Sequence, residues 1–453
     1  MLADANVMAL GSQTWRSGPD RFQKEEEQHP ARAGSAFAIK TYFMRENTAF
    51  AESPSWDHSI FETFKWLREN DPVHWSETDG LWIITKYEDV VAISKNQELF
   101  TSGKGVRPGF GLKIGLIDEP EPHHGQLRKL MNKGFTPRMV VKLEETFQVM
   151  VDEVLDQVAK AGECDFVADI AIPLPLNVIA EMIGVRPEDR ARFHQWSDAM
   201  IRAEGNEDDA EIVTAAGEAF LAYSAYVNEV IEDRRREPRN DLVSILVGAD
   251  EKGDLQTFER SGDSTKMDIS EEVITLHNSE MIMLLVVLMV AGNETTRNGL
   301  SGGMQALIEN PSERQKLIDD PSKINAAVEE MLRYVSPVQS FTRTLTRDTE
   351  FKGRPMKTDQ QVLMIYPSAN RDADQFKDPD VFNVDRNPEH VAFGVGPHFC
   401  LGASLARMEM RVIFTELLRR FPDMTYASEA GAEIRPHALV RSCVNMPVKY
   451  TPE

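Results

Sequence analysis

A single cysteine near the end of the chain lies where its sulfur could bind a metal or attack an electrophile. Cys400 follows a glycine-rich stretch, and residues 401–420 after it have the pattern of a helix. A cysteine before a helix N-terminus faces unpaired backbone N–H groups and the positive end of the helix dipole, which favour its thiolate. Its position leaves two chemistries open, metal ligation and nucleophilic attack.

The residue types around this cysteine favour metal ligation. Gly394 and Gly396 permit a tight turn whose N–H groups can point at sulfur, and such hydrogen bonds tune the potential of a thiolate-ligated iron. Phe393 offers a flat apolar cover, and His398 offers a donor two residues from the sulfur. Gly402 lets the helix backbone approach something bulky. The loop is therefore suited to hold a large metal-containing group.

A second candidate site lies in a long apolar helix. Residues 281–290 are apolar all round, which predicts a central helix, and the run ends in Ala-Gly-Asn-Glu-Thr-Thr from Ala291. The Thr295 hydroxyl can bond the carbonyl of Ala291 four residues back, which bends a helix. Glu294 adds a carboxyl group, and buried polar groups cost free energy unless they are bonded. The pattern predicts a bend with room for a ligand beside an acid and an alcohol.

The two motifs resemble those of the cytochrome P-450 family. The helix matches the family's Ala/Gly-Gly-x-Asp/Glu-Thr pattern from Ala291. The loop matches Phe-x-x-Gly-x-His-x-Cys-x-Gly at Phe393, Gly396, His398, Cys400 and Gly402. The resemblance spans about residues 50–450. It implies a mainly α fold with a small β region, the triangular helical prism of that family, which encloses haem b.

The resemblance also implies roles for individual residues. Cys400 would ligate the haem iron, and Glu294 and Thr295 would be the acid–alcohol pair that delivers protons to dioxygen. The haem propionates need cationic or donor partners, which would be His124, Arg128, Arg343 and His398. The other haem contacts would be Ala291, Phe393, Gly394 and Gly402.

Two departures from the family pattern lie beside the first propionate histidine. Many members have Thr where this chain has Gly125, and His123 is adjacent to His124. The sequence leaves open which of the two histidines contacts the propionate.

A third set of residues is assigned to folding and haem retention. Glu330 and Arg333 lie three apart on one face of a predicted helix. By the resemblance, this pair is internal and bonds Arg386, which precedes the cysteine loop.

The elements that hold these residues are mostly helices. Helical patterns cover residues 61–69, 87–95, 125–161, 188–236, 268–309, 320–335 and 401–420, with a break at 206–209. Strand-like patterns cover 81–85 and 350–365, and loops are expected at 102–115, 249–267 and 367–390. No repeat or internal linker is visible. We expect residues 1–35 to be a mobile tail and 36–453 to form one domain.

Composition limits the class of protein. The 453 residues are 42% hydrophobic, which is enough for a large core. Fifty Lys and Arg against 73 Asp and Glu give a net charge of -23, which disfavours nucleic acid and anionic membranes as partners. Three cysteines indicate a reducing compartment, and the longest apolar run, 281–291, is too short for a bilayer, which needs roughly 20 residues. We expect a monomeric, cytoplasmic protein without a membrane span.

By the resemblance, four segments line the substrate pocket: 106–117, 284–295, 335–341 and 438–442. Their lining is mostly apolar, which predicts a lipophilic substrate, and Gln339 and Arg441 are candidates to hold one polar end. The expected contacts are Phe110, Leu116, Leu288, Val338 and Leu439. Three stretches look like those of bacterial members that act on terpenes, alkanes or sterol side chains.

Electrons must come from another protein, since the chain has no Rossmann fingerprint and no iron–sulfur cysteine run. Family members of this length take electrons from a ferredoxin or flavodoxin with its NAD(P)H reductase. Basic residues that would flank the cysteine side of the haem, and could form the docking site, are Arg128, Lys129, Lys133, Arg407 and Arg411.

The sequence is thus interpreted as a haem-thiolate monooxygenase that inserts one oxygen atom of dioxygen into a C–H bond of a terpenoid, sterol or hydrocarbon. One alternative is a peroxide-driven peroxygenase, and another is a haem-thiolate sensor or binding protein. Glu294 and Thr295 count against both. A non-haem cysteine enzyme would need a matched histidine base, which the pattern does not supply.

Overall fold

Helices make up most of the computed structural model, which describes residues 48–51, 53–57, 59–108, 115–203, 206, 209–251 and 278–453. The helices are α1 (Ile60–Asn70), α2 (Tyr87–Lys95), α3 (His123–Met131), α4 (Pro137–Val158), α5 (Pro173–Ile183), α6 (Arg190–Arg202), α7 (Ala210–Arg236), α8 (Leu242–Glu251), α9 (Asn278–Glu309), α10 (Pro311–Asp319), α11 (Ile324–Val335), the four-residue α12 (Tyr366–Ala369) and α13 (Ala403–Arg420).

The strands are short and form small sheets. They are β1 (Val73–Ser76), β2 (Leu81–Ile84), β3 (Phe100–Thr101), β4 (Glu163–Asp165), β5 (Ser340–Leu345), β6 (Thr349–Phe351), β7 (Arg354–Met356), β8 (Gln361–Ile365), β9 (Thr425–Tyr426), β10 (Glu433–Arg435), β11 (Ser442–Asn445) and β12 (Pro447–Lys449). The largest sheet has the order β1-β2-β8-β5-β3, and only its β2–β8 pair is parallel. A three-stranded sheet joins β4, β12 and β9, and β10 pairs with β11.

Helix α9 lies at the centre of the main hydrophobic core. It packs against α5, α6, α7, α11 and α13, and Met281, Leu285 and Met289 are fully buried. Two glycines bring its second half close to its neighbours. A Cβ on Gly302 would lie 2.5 Å from Val335 Cγ1 of α11, and one on Gly303 would lie 2.8 Å from Phe414 Cζ of α13. These contacts fix one wall of the functional site.

Local sequence sets several helix ends. Helix α7 begins after Asp209, whose carboxylate accepts hydrogen bonds from the backbone N–H groups of Glu211 and Ile212. Helix α5 ends at Gly184 with φ +84°, and the Gly184 N–H bonds the carbonyl of Ala180. Both ends carry the residue types that these caps favour.

The structure confirms most of the predicted elements. The helices predicted over 61–69, 87–95 and 401–420 agree with α1, α2 and α13 to within two residues at either end. The helical stretch predicted over 125–161 contains α3 and α4, which a 3-10 turn, Asn132–Phe135, separates before the Thr136 cap. Helices α5 and α8 were not predicted. The expected tail at 1–35 and most of the loop at 249–267 lie outside the described residues.

Two segments are long and apolar enough to cross a bilayer by composition alone, Phe166–Ile183 and Ser279–Glu309. Both belong to the core, and the first joins a π-helical turn, Phe166–Ala171, to α5. The second is α9, which carries Glu294 and Arg297 near its middle. Composition of this kind is typical of core helices in globular proteins.

Candidate active site

A cavity separates the middle of α9 from the loop that precedes α13. Ala291 and Thr295 of α9 line one side, and Cys400 and Gly402 line the other. The cavity is mostly apolar, but four basic side chains also line it: His124, Arg128, Arg343 and His398. The residues that the sequence analysis singled out in distant segments therefore meet at one site.

The cysteine loop is a sharply turned segment held by its own backbone. Gly394 and Gly396 have φ +66° and +76°, the left-handed region that favours glycine. A Cβ on Gly396 would lie 2.9 Å from the Ser94 carbonyl oxygen of α2. The Cys400 N–H donates to the Phe393 carbonyl at 2.9 Å, so the loop closes on itself and directs the thiol into the cavity.

The thiol of Cys400 is less acidic than its place before a helix predicts. Burial raises its pKa, and the backbone N–H groups of Gly402 and Ala403, with the charges of Arg128 and Arg407, oppose that rise without cancelling it. The predicted helix N-terminus effect is present, but desolvation outweighs it.

Among the described residues, Arg128, Arg343 and His398 pair with no carboxylate, and His124 pairs with Glu121 through Nδ1 only. Arg343 is 4% exposed, and its guanidinium donates to the Thr342 carbonyl at 2.8 Å. The rings of His124 and His398 lie 3.9 Å apart. Burial, followed by the charges of His124, Arg343 and Arg128, lowers the pKa of His398 to about 3. Such a group of buried donors is suited to bind an anionic ligand.

The structure separates the two adjacent histidines. His124 lines the cavity, with Nδ1 2.9 Å from Glu121 Oε1, whereas His123 lies against Glu119 and Glu280. The departure at Gly125 also has a local reason, since a Cβ there would lie 2.8 Å from Glu121 Oε2. The Glu121 carboxylate takes the space of the missing side chain and accepts the Gly125 N–H at 3.1 Å.

The bend predicted in α9 has its hydrogen bond. Thr295 Oγ1 donates to the Ala291 carbonyl at 2.7 Å, and both residues line the cavity. The expected room beside Gly292 is partly occupied, because a Cβ there would lie 2.7 Å from Ile179 Cδ1 of α5.

Glu294, in contrast, points away from the cavity and is not among the residues that line it. Its side chain is 5% exposed, and Oε1 accepts hydrogen bonds from Asn298 Nδ2 and Ser442 Oγ, both at 2.8 Å. Arg297 Nη2 lies 2.6 Å from Oε2 as an ion pair. The acid and the alcohol are thus neighbours in sequence whose side chains lie in different environments.

Comparison with known proteins agrees with this geometry. A family model for cytochrome P-450 matches residues 210–429. The steroid C26-monooxygenase of Mycolicibacterium smegmatis is 38% identical over 397 residues, which cover 87% of this chain and 94% of that protein. The chain belongs to the cytochrome P-450 family.

Other cytochromes P-450 are similar along most of their length. The polyketide biosynthesis protein PksS of Bacillus subtilis is 33% identical over 416 residues, covering 87% of this chain and 96% of that protein. The structure of CYP109E1 of Bacillus megaterium in complex with testosterone has 29% identity and a TM-score of 0.75, and the match covers 86% of this chain and 99% of that one. The fold and the enzyme class follow: this cytochrome P-450 is a haem b monooxygenase.

The residues of the cavity fit haem b. His124 Nε2 is buried with no hydrogen-bond partner among the described residues, and no described carboxylate pairs with Arg128 or Arg343. An anionic group such as a propionate would satisfy all three. A Cβ on Gly402 would meet no atom within 4 Å, which leaves open space next to Cys400. The donor set is one thiol with basic groups around it, as a thiolate-ligated iron with two carboxylates requires.

The Glu330–Arg333 pair is fully buried and bonds the third predicted residue. Arg333 donates to the Glu330 carboxylate at 2.7 and 2.8 Å, and Arg386 Nε lies 3.2 Å from it. Arg333 also donates to the carbonyls of Asn370 and Pro379. The three residues tie α11 to the irregular segment that leads into the cysteine loop.

Ion pairs occupy two of the five basic residues that were expected to form a docking site in this cytochrome P-450. Arg407 forms a bidentate ion pair with Glu329 at 2.6 and 2.9 Å, and Arg411 pairs with Glu144 at 2.6 Å. Arg128 lines the cavity. Of the five predicted residues, Lys129 and Lys133 are the exposed ones. The acidic partners could not be assigned from sequence because they lie on other helices.

The expected substrate contacts are divided. Leu116, Leu288 and Val338 line the cavity, whereas Leu439 does not, and Phe110 lies outside the described residues. The two candidates for a polar contact, Gln339 and Arg441, are not lining residues either. Gln339 is 2% exposed and its side-chain amide donates to the Ser336 carbonyl.

Sequence reasoning missed two side chains near the site. Glu409 of α13 lines the cavity and is 2% exposed, its Oε2 has no hydrogen-bond partner among the described residues, and burial raises its pKa to about 8. Ser442 bonds Glu294. An acidic residue on the buried face of α13 is a signal that could have found Glu409, but no pattern pairs Ser442 with a helix more than a hundred residues earlier.

Proposed function

We propose that this cytochrome P-450 hydroxylates a steroid, at a C–H bond of its side chain. The reaction is RH + O2 + NAD(P)H + H+ → ROH + H2O + NAD(P)+, so one oxygen atom enters the substrate and the other leaves as water. Bound haem supplies the redox chemistry that activates dioxygen. The residues around the haem must determine which substrate binds and which of its C–H bonds is oxidised.

The observation that carries the proposal is the similarity to steroid C26-monooxygenases combined with an apolar cavity. The Mycolicibacterium smegmatis protein and one from Mycobacterium tuberculosis, both with that name, are 38% and 37% identical to this chain. Leu116, Leu288 and Val338 provide an aliphatic wall of the kind that a hydrocarbon skeleton requires. PksS acts in polyketide biosynthesis, which makes a polyketide the main competing substrate class.

The chain's own residues would divide the work as follows. Cys400 would ligate the haem iron, and Arg128, Arg343, His124 and His398 would hold the propionates. The Thr295 hydroxyl, which lines the cavity and donates its proton to the Ala291 carbonyl, would accept hydrogen bonds from water and retain it at the reaction site. Glu294 would bring protons to Thr295 from solvent by rotating between its present partners and the cavity side of α9.

We also propose that electrons come from a small ferredoxin or flavodoxin with its NAD(P)H reductase, in the cytoplasm, and that the enzyme works as a monomer. The exposed Lys129 and Lys133 on and after α3, and Phe399, which is 38% exposed next to Cys400, provide a mixed basic and aromatic surface near the thiol. The three cysteines are all free, which agrees with a reducing compartment.

The experiment is a titration of the ferric Soret band of purified holoenzyme with cholesterol, testosterone, corticosterone and hexadec-9-enoic acid. Cholesterol carries a side chain and testosterone does not. We expect a low-spin to high-spin shift with steroids, tightest for cholesterol, and a product with one added oxygen on the side chain by mass spectrometry. A shift with the fatty acid alone would overturn the steroid proposal. Cys400→Ser should remove the thiolate signature of the reduced CO complex.

A further inference from the structure

We propose that Ser442 is a positioning residue for the Glu294 carboxylate. Its hydroxyl, on β11, holds the side chain of this proton-delivering acid of α9 in one rotamer. The inference rests on the role proposed above for Glu294. It adds a residue outside both motifs and assigns it a defined contact.

The two oxygens of the Glu294 carboxylate are not equivalent. Oε1 accepts two hydrogen bonds, from Ser442 Oγ and Asn298 Nδ2, each at 2.8 Å. Oε2 lies 2.6 Å from Arg297 Nη2 but has no aligned hydrogen-bond donor among the described residues. Two donors therefore occupy Oε1, while the Arg297 guanidinium lies against Oε2. Ser442 is one of the groups that hold the acid in its present rotamer.

A second bond holds the strand to the same turn of α9. The Cys443 N–H donates to Asn298 Oδ1 at 2.9 Å, and Asn298 Nδ2 in turn donates to Glu294. Because the backbone bond fixes β11 without the Ser442 hydroxyl, loss of that hydroxyl should leave the strand in place. Replacing Ser442 should therefore remove the side-chain hydrogen bond to Glu294 without displacing β11 from α9.

The segment before Ser442 runs along the cavity wall. The Gln339 N–H donates to the Leu439 carbonyl at 2.7 Å, the Arg441 N–H donates to the Pro337 carbonyl at 3.2 Å, and Val338 and Val440 form a β-bridge. Pro337 and Val338 both line the cavity. The backbone that carries Ser442 is therefore bonded to the segment that forms part of the cavity wall.

The test compares Ser442→Ala with three other variants in the holoenzyme, driven by a surrogate ferredoxin and its reductase with the steroid that gives the largest spin shift. Ser442→Thr keeps a hydroxyl. Ser442→Cys keeps the volume but donates weakly, and it replaces the alanine variant if that variant fails to fold. Val444→Ala is the same-strand control, because Val444 is exposed and its side chain has no hydrogen-bonding group.

We expect Ser442→Ala and Ser442→Cys to lower the fraction of NAD(P)H recovered as product about 3- to 10-fold, the size that loss of one ordinary hydrogen bond gives. Hydrogen peroxide should rise in proportion, and the solvent deuterium isotope effect on product formation should increase. Ser442→Thr and Val444→Ala should keep wild-type coupling. Crystal structures of wild type and Ser442→Ala give a readout that does not use activity, and in the variant the Glu294 carboxylate should leave Asn298.

Glu294→Gln distinguishes failure of the role proposed for Glu294 from failure of the inference about Ser442. If Glu294→Gln keeps wild-type coupling, the acid role proposed for Glu294 is wrong. If Glu294→Gln uncouples but Ser442→Ala and Ser442→Cys do not, the acid role stands and the inference about Ser442 is overturned. Adding Ser442→Ala to Glu294→Gln should change coupling less than about twofold, because Ser442 acts through the carboxylate. A full additional loss in the double variant would assign Ser442 a structural role instead and also overturn the inference.

Discussion

Residue by residue, the site is a set of polar groups whose partners lie outside the protein chain. Cys400, Arg343 and His124 are buried groups that a haem would satisfy, and Thr295 faces the same space. Glu294 is the exception, since its partners Asn298, Arg297 and Ser442 are all within the chain. The groups that line the cavity therefore need a cofactor to satisfy them, whereas groups of the protein itself satisfy the Glu294 carboxylate.

Replacing the threonine of α9 should separate electron use from product formation. Thr295→Ala removes the hydroxyl that lines the cavity, so water and protons lose their polar contact there, and we expect peroxide to become the main product of NAD(P)H oxidation. Product and peroxide are measured per NAD(P)H consumed. Thr415→Ala is a matched control, because Thr415 makes the same bond to the carbonyl four residues back on the surface of α13. Unchanged coupling in Thr295→Ala would contradict the assigned role.

Glu409 should make the protein less stable as pH rises. Burial raises its pKa from 4.5 to about 8, so the folded state keeps a proton that the unfolded state releases. The free-energy cost is absent below pH 4.5, grows by about 1.4 kcal/mol per pH unit and is complete above pH 8. Glu409→Gln, which mimics the neutral acid, should exceed wild type in unfolding free energy by a margin that grows over this range.

Urea unfolding of the two proteins at several pH values measures that margin. Glu416→Gln on the same helix provides the control, because Glu416 pairs with the exposed Arg419. A margin that is constant with pH would show that Glu409 is ionised in the folded protein.

At the scale of elements, α11 and the cysteine loop depend on one buried ion pair. Glu330 and Arg333 are both 0% exposed, and they bond Arg386 and backbone carbonyls that precede the loop. The network satisfies the carbonyls of a segment with no regular structure, residues 370–390. The network therefore holds the backbone of this segment in place where no helix or sheet stabilises it.

Breaking this pair should be costly. Glu330→Gln leaves two guanidinium groups without their carboxylate in the core, and we expect a loss of about 3–5 kcal/mol in the free energy of unfolding. Glu416→Gln removes a carboxylate from a pair with the same three-residue spacing at the surface, and its loss should stay below about 1 kcal/mol. Denaturant melts of both variants give the comparison, and equal losses would contradict the structural role.

The sequence predicted well what depends on local pattern. The apolar run predicted α9, the pattern after Cys400 predicted α13, and the spacing of Thr295 from Ala291 predicted their hydrogen bond. It failed where distant side chains decide. The partners of Arg407 and Arg411, Glu329 and Glu144, lie on other helices, and no local signal assigns them.

At the scale of the whole molecule, net charge affects how fast the proposed redox partner can associate with the enzyme. The net charge of -23 repels an acidic ferredoxin at long range, so any attraction must be local. Helix α3 and the turn after it carry the two lysines that we propose supply this attraction. His124 and Arg128 of α3 line the cavity, while Lys129 is exposed to solvent and Lys133 follows one turn later.

Reversing these two lysines should slow reduction by an acidic ferredoxin. Lys129→Glu with Lys133→Glu is expected to lower the second-order rate about 3- to 10-fold at low salt and much less at high salt, where charges are screened. Stopped-flow reduction under CO measures this rate. Lys65→Glu with Lys160→Glu makes the same change in net charge at other exposed lysines. If both pairs slow reduction equally, the surface near α3 has no special part in docking.

The glycines of α9 hold that helix close to its neighbours on two sides. Gly302 and Gly303 allow Val335 and Phe414 to touch its backbone, and Gly292 does the same for Ile179 of α5. A larger side chain at any of these three positions would push apart the helices that surround the cavity. The width of the cavity between Thr295 and Cys400 therefore depends in part on residues that have no side chain.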